Sequence, residues 1–223
     1  MVVSSEFVGV LAPFFRASTF ADEAEEFAEL VAIAAVGLAL YLMNRAEREE
    51  IASLRRSAEV DELTNLSSRS FFYRAASRRL ELSDKHSLPL ACAMVDVDDF
   101  KAYNDRYGHE GGDRVLRCVA DVLRESTRAE DLIGRYGGEE FVLLMSSEME
   151  NAVEVGERIR QAVERECTPD RDASLKRPIT VSLGIVRRNE HTQTLDELIG
   201  AADRQMYRAK RAGKNRISVV ENL

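Results

Sequence analysis

Arg135-Tyr136-Gly137-Gly138-Glu139-Glu140-Phe141-Val142-Leu143-Leu144-Met145 is the stretch whose reading decides the fold. Strand-forming residues flank two glycines, with Ile133 and Tyr136 before them and the apolar run from Phe141 to Met145 after. This pattern predicts a tight β-hairpin. The glycines leave its tip without side chains, so a bulky group can approach the backbone, and two carboxylates follow at once. A bare tip beside paired acids suits a metal-bound phosphate.

Working outward, residues 90–97 form a near-continuous apolar run bounded by Pro89 and by acids, the pattern of a strand buried on both faces. Period two puts Asp96 and Asp98 on one face and Val95 and Val97 on the other. The side chains of Asp98 and Asp99 read as a solvated strand end. Further strands are predicted at 132–136, 179–186 and 216–220, and helices at 70–82, 149–166 and 195–211. A helical stretch begins at Phe100 and is interrupted at Gly108 and at Gly111-Gly112. Another helix follows over 113–127, its apolar side carried by Val115, Leu116, Val119, Val122 and Leu123. Strands and helices mixed around one hairpin predict an α/β sandwich with a mixed sheet.

The 223 residues, 45% of them hydrophobic, allow one domain of about 160 residues and an appendage. A net charge of -8 and a pI near 5.1 exclude a general nucleic-acid binder, whose phosphate contacts need a basic surface. Cys92, Cys118 and Cys167 are scattered without a Cys-x-x-Cys pair and read as reduced. His86, His109 and His191 are equally scattered, so no zinc site is indicated.

The domain boundary falls between segments 1–57 and 58–223. Leu30 to Met43 carries no charge, and counting back to Phe27 reaches the lower limit of about 17 residues for a bilayer span. A membrane anchor over 27–43 is therefore expected. The alternative is a buried or coiled-coil helix, but a coiled coil keeps polar positions outside, whereas this run is apolar all round. Arg45, Arg48, Arg55 and Arg56 follow the run and Arg16 precedes it, which orients the larger domain to the cytoplasm at the inner membrane; a fully cytoplasmic chain is the alternative. Residues 44–60 read as a helix that either pairs two protomers or serves as a solvated spacer.

The central stretch resembles the name-giving motif of the GGDEF family of diguanylate cyclases, in its Gly-Gly-Glu-Glu-Phe form. The resemblance runs from Asp61 to Leu223. Asp61-Glu62-Leu63-Thr64-Asn65-Leu66-Ser67-Ser68-Arg69 is similar to the family's opening segment, with Asn65 where Gly is usual and Ser68 where Asn is usual. Asn tolerates a left-handed backbone, so the first departure is mild. The run from Val95 to Asp113 is similar to the family's long second motif.

The resemblance implies a GGDEF fold: a mainly antiparallel central sheet wrapped by helices, related to the nucleotidyl cyclase and polymerase palm, here preceded by an N-terminal helix. It also implies two GTP condensed into cyclic di-GMP across a homodimer, with Mg²⁺ or Mn²⁺ as cofactor. Asp96, the Val97 carbonyl and Glu139 would be the metal ligands, and Glu140 a second acid of undecided role. Amides of Asp99, Phe100 and Lys101, the bare Gly137 and Gly138, and the side chains of Lys210 and Lys214 would meet the phosphates. Asn104 and Asp113 would read guanine and disfavour ATP; taken alone they read equally well as a helix-surface residue and an N-cap. Arg128 and Asp131 match an inhibitory site for the cyclic di-GMP product, and Arg158 a second arginine that contacts product from the other subunit. The rival reading is a silent GGDEF module acting as a receptor for GTP or cyclic di-GMP.

Overall fold

The structure is a computed structural model that describes residues 31–32, 34–45, 59–189, 192 and 194–220. The chain divides into two compact units, Met1–Ser53 and Leu54–Leu223. In the first, residues 31–32 and 34–45 are helical, and Val36, Leu38, Leu40, Tyr41, Leu42 and Met43 are all exposed. Among the described residues no helix is long and apolar enough to cross a membrane. The anchor expected over 27–43 is described only in part, and most of the helix expected over 44–60 lies outside the described residues.

In the second unit the element order is α1 (Arg69–His86), β1 (Ala91–Val97), α2 (Phe100–Tyr107), α3 (His109–Glu125), β2 (Leu132–Arg135), β3 (Glu140–Met145), α4 (Met149–Glu166), β4 (Val181–Arg187), α5 (Leu195–Arg211) and β5 (Ile217–Val219). The sheet runs β2-β3-β1-β4-β5. Its pairings are antiparallel except β4 with β5, which is parallel. The α/β fold with a mixed, mainly antiparallel sheet is as expected.

β1 is central and every residue of it is buried, which is why its sequence is a continuous apolar run rather than an alternation. Ala91, Ala93, Val95 and Val97 pack with α2, α3 and α4 on one face of the sheet. Cys92 and Met94 pack with α1 and α5 on the other. Asp96 continues this second set, so it points toward the α5 side. There Gly184 lets helix and strand touch, since a Cβ on it would collide with the backbone of Ala202 and Met206. A capping box starts α5: Glu197 N donates to Thr194 Oγ1 and Thr194 N to Glu197 Oε2.

Two expectations fail. Gly111 and Gly112 do not interrupt a helix but lie inside α3, and only Gly108, at φ 78°, separates it from α2. Their small size serves packing: a Cβ on Gly112 would overlap the Asn104 amide and press on the Phe100 ring. Nor are all three cysteines reduced. Cys118 on α3 and Cys167 at the end of α4 form a disulfide, with Cα atoms 5.9 Å apart. Their sequence separation of 49 hides the pairing, which arises because α3 and α4 lie side by side on one face of the sheet. Cys92 alone is free, and burial pushes its thiol up to about 12.

Candidate functional site at the carboxyl end of β1

The opening segment braces the hairpin tip. Thr64 donates to Asp61 Oδ1 from both its backbone N (2.9 Å) and its hydroxyl (2.7 Å). Arg135 Nη1 reaches both Asp61 carboxylate oxygens at 3.2 and 3.1 Å, while its Nη2 donates to the Gly138 carbonyl at 2.8 Å. Asn65 sits at φ 54°, the left-handed backbone that its replacement of Gly requires. Ser68 keeps a capping role, accepting from Phe71 N at the start of α1.

The hairpin forms with Arg135 opposite Phe141, and Tyr136 N donates to Glu140 O at 2.8 Å to close the turn. Its tip folds along the end of β1: Asp96 pairs with Glu140 across the ladder, and Val97 N donates to Glu139 O at 3.3 Å. The acid at a strand end and the acids at a hairpin tip, far apart in sequence, are thereby neighbours. A side chain on Gly137 would run into the Glu140 carboxylate, whereas Gly138 faces open space.

Asp96 is 3% exposed. Burial lifts its carboxyl to about 6; Lys210 opposes the rise, and the charges of Glu139 and Glu140 add to it. Glu139 is also raised, by burial first and by Glu140, with Lys210 opposing. Lys210, from the last turn of α5, puts Nζ 2.8 Å from Asp96 Oδ1. Burial works against its ammonium, but the ion pair with Asp96, with the charges of Glu139 and Asp98, outweighs it and holds its pKa above the usual lysine value.

Past β1 the chain makes a tight turn into α2. Asp99 is its N-cap residue at φ 57°, and Lys214 Nζ donates to its carboxylate, which lowers the Asp99 pKa. The expected solvated end therefore holds only in part. Asp99 is exposed, but Asp98 is buried, which corrects the reading of its side chain. Its carboxylate accepts from Ser182 Oγ and Thr180 Oγ1, each at 2.7 Å, and from Asn215 N at 3.0 Å. Asp98 thus ties the turn to β4 and to the segment carrying Lys214. Alternation along β1 carried no sign of this, because all three donors come from distant parts of the chain.

Asn104 lies on α2 with its Oδ1 buried and without a hydrogen-bond partner among the described residues. It packs on Gly112, the residue before Asp113, so both expected base-reading residues stand near the α2–α3 junction. Phe100 is buried and Lys101 exposed on the first turn of α2. Elsewhere, Asp131 Oδ2 accepts from Arg128 N at 3.0 Å, and the Arg158 guanidinium donates to Ser126 O through Nε (3.1 Å) and Nη2 (2.7 Å). The three expected inhibitory-site residues thus gather near the carboxyl end of α3.

A family model described as "Diguanylate cyclase, GGDEF domain" matches residues 58–216. The chain belongs to the GGDEF family. Diguanylate cyclase DosC of Escherichia coli (strain K12) is 34% identical over 175 residues, which cover 77% of this chain and 36% of that protein. Diguanylate cyclase A of Treponema denticola is 31% identical over 175 residues, 77% of this chain and 47% of the relative. The chain thus spans between a third and a half of the length of these curated relatives. Among solved structures, the coiled coil and GGDEF domain of DgcB from Caulobacter crescentus, in complex with c-di-GMP, aligns with a TM-score of 0.74 at 29% identity, covering 85% of this chain and 99% of that one. The active GGEEF domain of a Vibrio cholerae diguanylate cyclase aligns with a TM-score of 0.65 at 26% identity, over 71% and 99% of the two chains.

Proposed function

We propose that this GGDEF domain condenses two molecules of GTP into cyclic di-GMP, releasing two pyrophosphates. The observation that carries this reading is the convergence of buried Asp96, the Glu139-Glu140 tip and Lys210 at one strand end beside the turn into α2.

A divalent cation fits that arrangement. Asp96 is held up to about 6 by burial, opposed by Lys210 and reinforced by the two glutamates, so a positive charge there stabilises the ionised carboxylates. Among the described residues no three His, Cys, Asp or Glu side chains form a complete metal cage. Mg²⁺ asks for none, because it takes one or two carboxylates and fills its shell with water and substrate phosphates. Asp96, Glu139 and the Val97 carbonyl would hold it, with Mn²⁺ as a substitute. Held by those residues, such an ion would supply charge neutralisation for the phosphates and a lowered pKa for the attacking hydroxyl.

The chain's own groups do the rest. Amides at 99–101 and the ammonium groups of Lys210 and Lys214 hold the terminal phosphates. The Asn104 amide and the Asp113 carboxylate read the guanine edge, which adenine cannot match. Glu140 takes the 3′-hydroxyl proton as that oxygen attacks the α-phosphorus of the partner's GTP, and pyrophosphate leaves. One domain holds one GTP, so two domains must face each other and the active form is a homodimer. Arg128, Asp131 and Arg158 bind the product and limit its accumulation. The exposed apolar helix through residues 34–45 supports a role for the N-terminal unit in attaching the chain to the inner membrane, with the GGDEF domain in the cytoplasm.

The test is product analysis by chromatography and mass after incubation with GTP and Mg²⁺, with Glu139→Gln as control. Cyclic di-GMP and pyrophosphate from the wild type alone support the cyclase. No product at concentrations where the chain is dimeric would replace it with the receptor reading.

A further inference from the structure

Arg177 belongs to no motif and precedes β4 by a few residues, yet its side chain reaches the turn at Asp99. Its Nη2 donates to the Asp99 carbonyl oxygen at 3.1 Å, and its guanidinium carbon lies 5.5 Å from the centre of the Tyr103 ring. The preceding residue joins the same grip, since Lys176 N donates to Tyr103 Oη at 3.0 Å. Two consecutive residues of the 168–178 segment therefore hold the first turn of α2 from outside. The segment is itself anchored where it leaves α4: Cys167 is bonded to Cys118, and its carbonyl accepts from Ile179 N at 3.0 Å.

The turn needs such a brace. Asp99 is left-handed at φ 57°, a backbone disfavoured for any residue with a Cβ, and its carboxylate pairs with Lys214 instead of capping α2. Its carbonyl oxygen accepts from two donors, Tyr103 N at 3.0 Å and Arg177 Nη2. A peptide unit is planar, so fixing the Asp99 oxygen also fixes the direction of the Phe100 N–H on the opposite side of the same plane. That N–H is one of the orphan donors at the start of α2.

We propose that Arg177 is a positioning residue for the triphosphate: it locks the Asp99–Phe100 peptide plane so that the amides of the turn face the phosphates. The proposal rests on the reading of this turn as the phosphate site of a GTP-binding domain. It predicts that Arg177 acts on nucleotide binding rather than on the chemical step, because the amides hold the phosphates alike before and during reaction.

The experiment compares wild type, Arg177→Ala and Arg177→Lys in the full chain. Calorimetry with the β,γ-imido analogue of GTP and Mg²⁺ measures affinity, steady-state turnover separates kcat from KM, and thermal melting reports folding. Arg177→Ala should weaken the analogue and raise KM by roughly fivefold while kcat changes less than about twofold, the scale of one charge-assisted hydrogen bond at a half-exposed site. Arg177→Lys, which keeps a donor but loses the planar group over Tyr103, should recover part of the affinity. Unchanged analogue affinity in Arg177→Ala overturns the proposal, even with a lower Tm, because the residue is then merely structural. A wild type that binds no analogue overturns the GTP reading and this proposal together, which distinguishes the two failures.

Discussion

Asp96 and Glu139 at the end of β1 and the acids Glu157 and Glu166 of α4 are perturbed in opposite directions. At β1, burial lifts Asp96 to about 6 and holds Glu139 above the usual glutamate value, with Lys210 opposing and neighbouring glutamates adding. On α4, a hydrogen bond from Arg160 lowers Glu157, and one from Arg165 lowers Glu166. The α4 acids are satisfied by arginines on their own helix, such as the 2.6 Å pair of Arg160 and Glu157. Asp96 is crowded by like charges, and its cationic partner is shared with Glu139. Even the cleft between α3 and α4, about 580 Å³, sets Arg114, Arg117 and Arg165 against Asp121, Glu125 and Glu166. An acid kept ionisable against its environment marks the place where a cation is useful. A matched pair on a surface marks only solubility and a small gain in stability.

The comparison breaks most readily at Glu139. Glu139→Gln should reduce cyclic di-GMP formation by about a thousandfold or more, the scale expected if the proposed metal ligand is lost. Its Tm should not fall, since the change relieves like-charge crowding. A collapsed Tm would make the acid structural and erase the contrast.

Removing the disulfide is the reciprocal case on the α3–α4 side. Cys118→Ser with Cys167→Ser, or reduction by a dithiol, should lower stability by up to about 4 kcal/mol, the chain-entropy limit for a separation of 49 residues. Denaturant unfolding measures it, with kcat unchanged. A loss of kcat would mean that the two regions are not separable.

Acidification sharpens the contrast through its sign. As pH falls through about 6, Asp96 of the metal-free domain takes up a proton that competes with the cation, so at subsaturating Mg²⁺ kcat/KM for GTP should decline. Because its folded pKa lies above the ordinary 3.8, the folded state holds this proton where the unfolded chain does not. Asp96 therefore favours folding increasingly as pH falls from about 6 toward 4. Glu157 and Glu166, held below their ordinary value, lose their contribution as pH falls through their folded pKa values. Activity measured beside Tm between pH 7 and 5 checks whether the first declines before the second.

The smallest expected effect concerns Arg128. Arg128→Ala should leave the initial rate within about twofold and change only the progress curve, which should no longer slow as cyclic di-GMP accumulates. An unchanged progress curve removes Arg128 from product control.

Much of the fold was legible because its signals are local. The limits of α4 and α5 follow from amphipathic periodicity, and the observed helices, Met149–Glu166 and Leu195–Arg211, match the predicted ones. The two-sided burial of β1 was written in its unbroken apolar run, and the left-handed Asn65 in its side-chain chemistry. The failures are of another kind. Gly111 and Gly112 read as breakers by propensity, but the close packing of α2 on α3 uses them inside a helix. Asp98 read as a solvated end, but three donors from remote segments bury it.

By itself the sequence determined the elements, their amphipathic faces and the acids at the hairpin and at the end of β1, because backbone periodicity and turn chemistry act over a few residues. Only the tertiary structure decided which strands became neighbours, that β5 joins in parallel, that Cys118 meets Cys167, and that Lys210 and Arg177 come to the acids and the turn. Those contacts depend on the packing of whole helices against opposite faces of the sheet, and that packing is settled by long-range burial rather than by any local pattern.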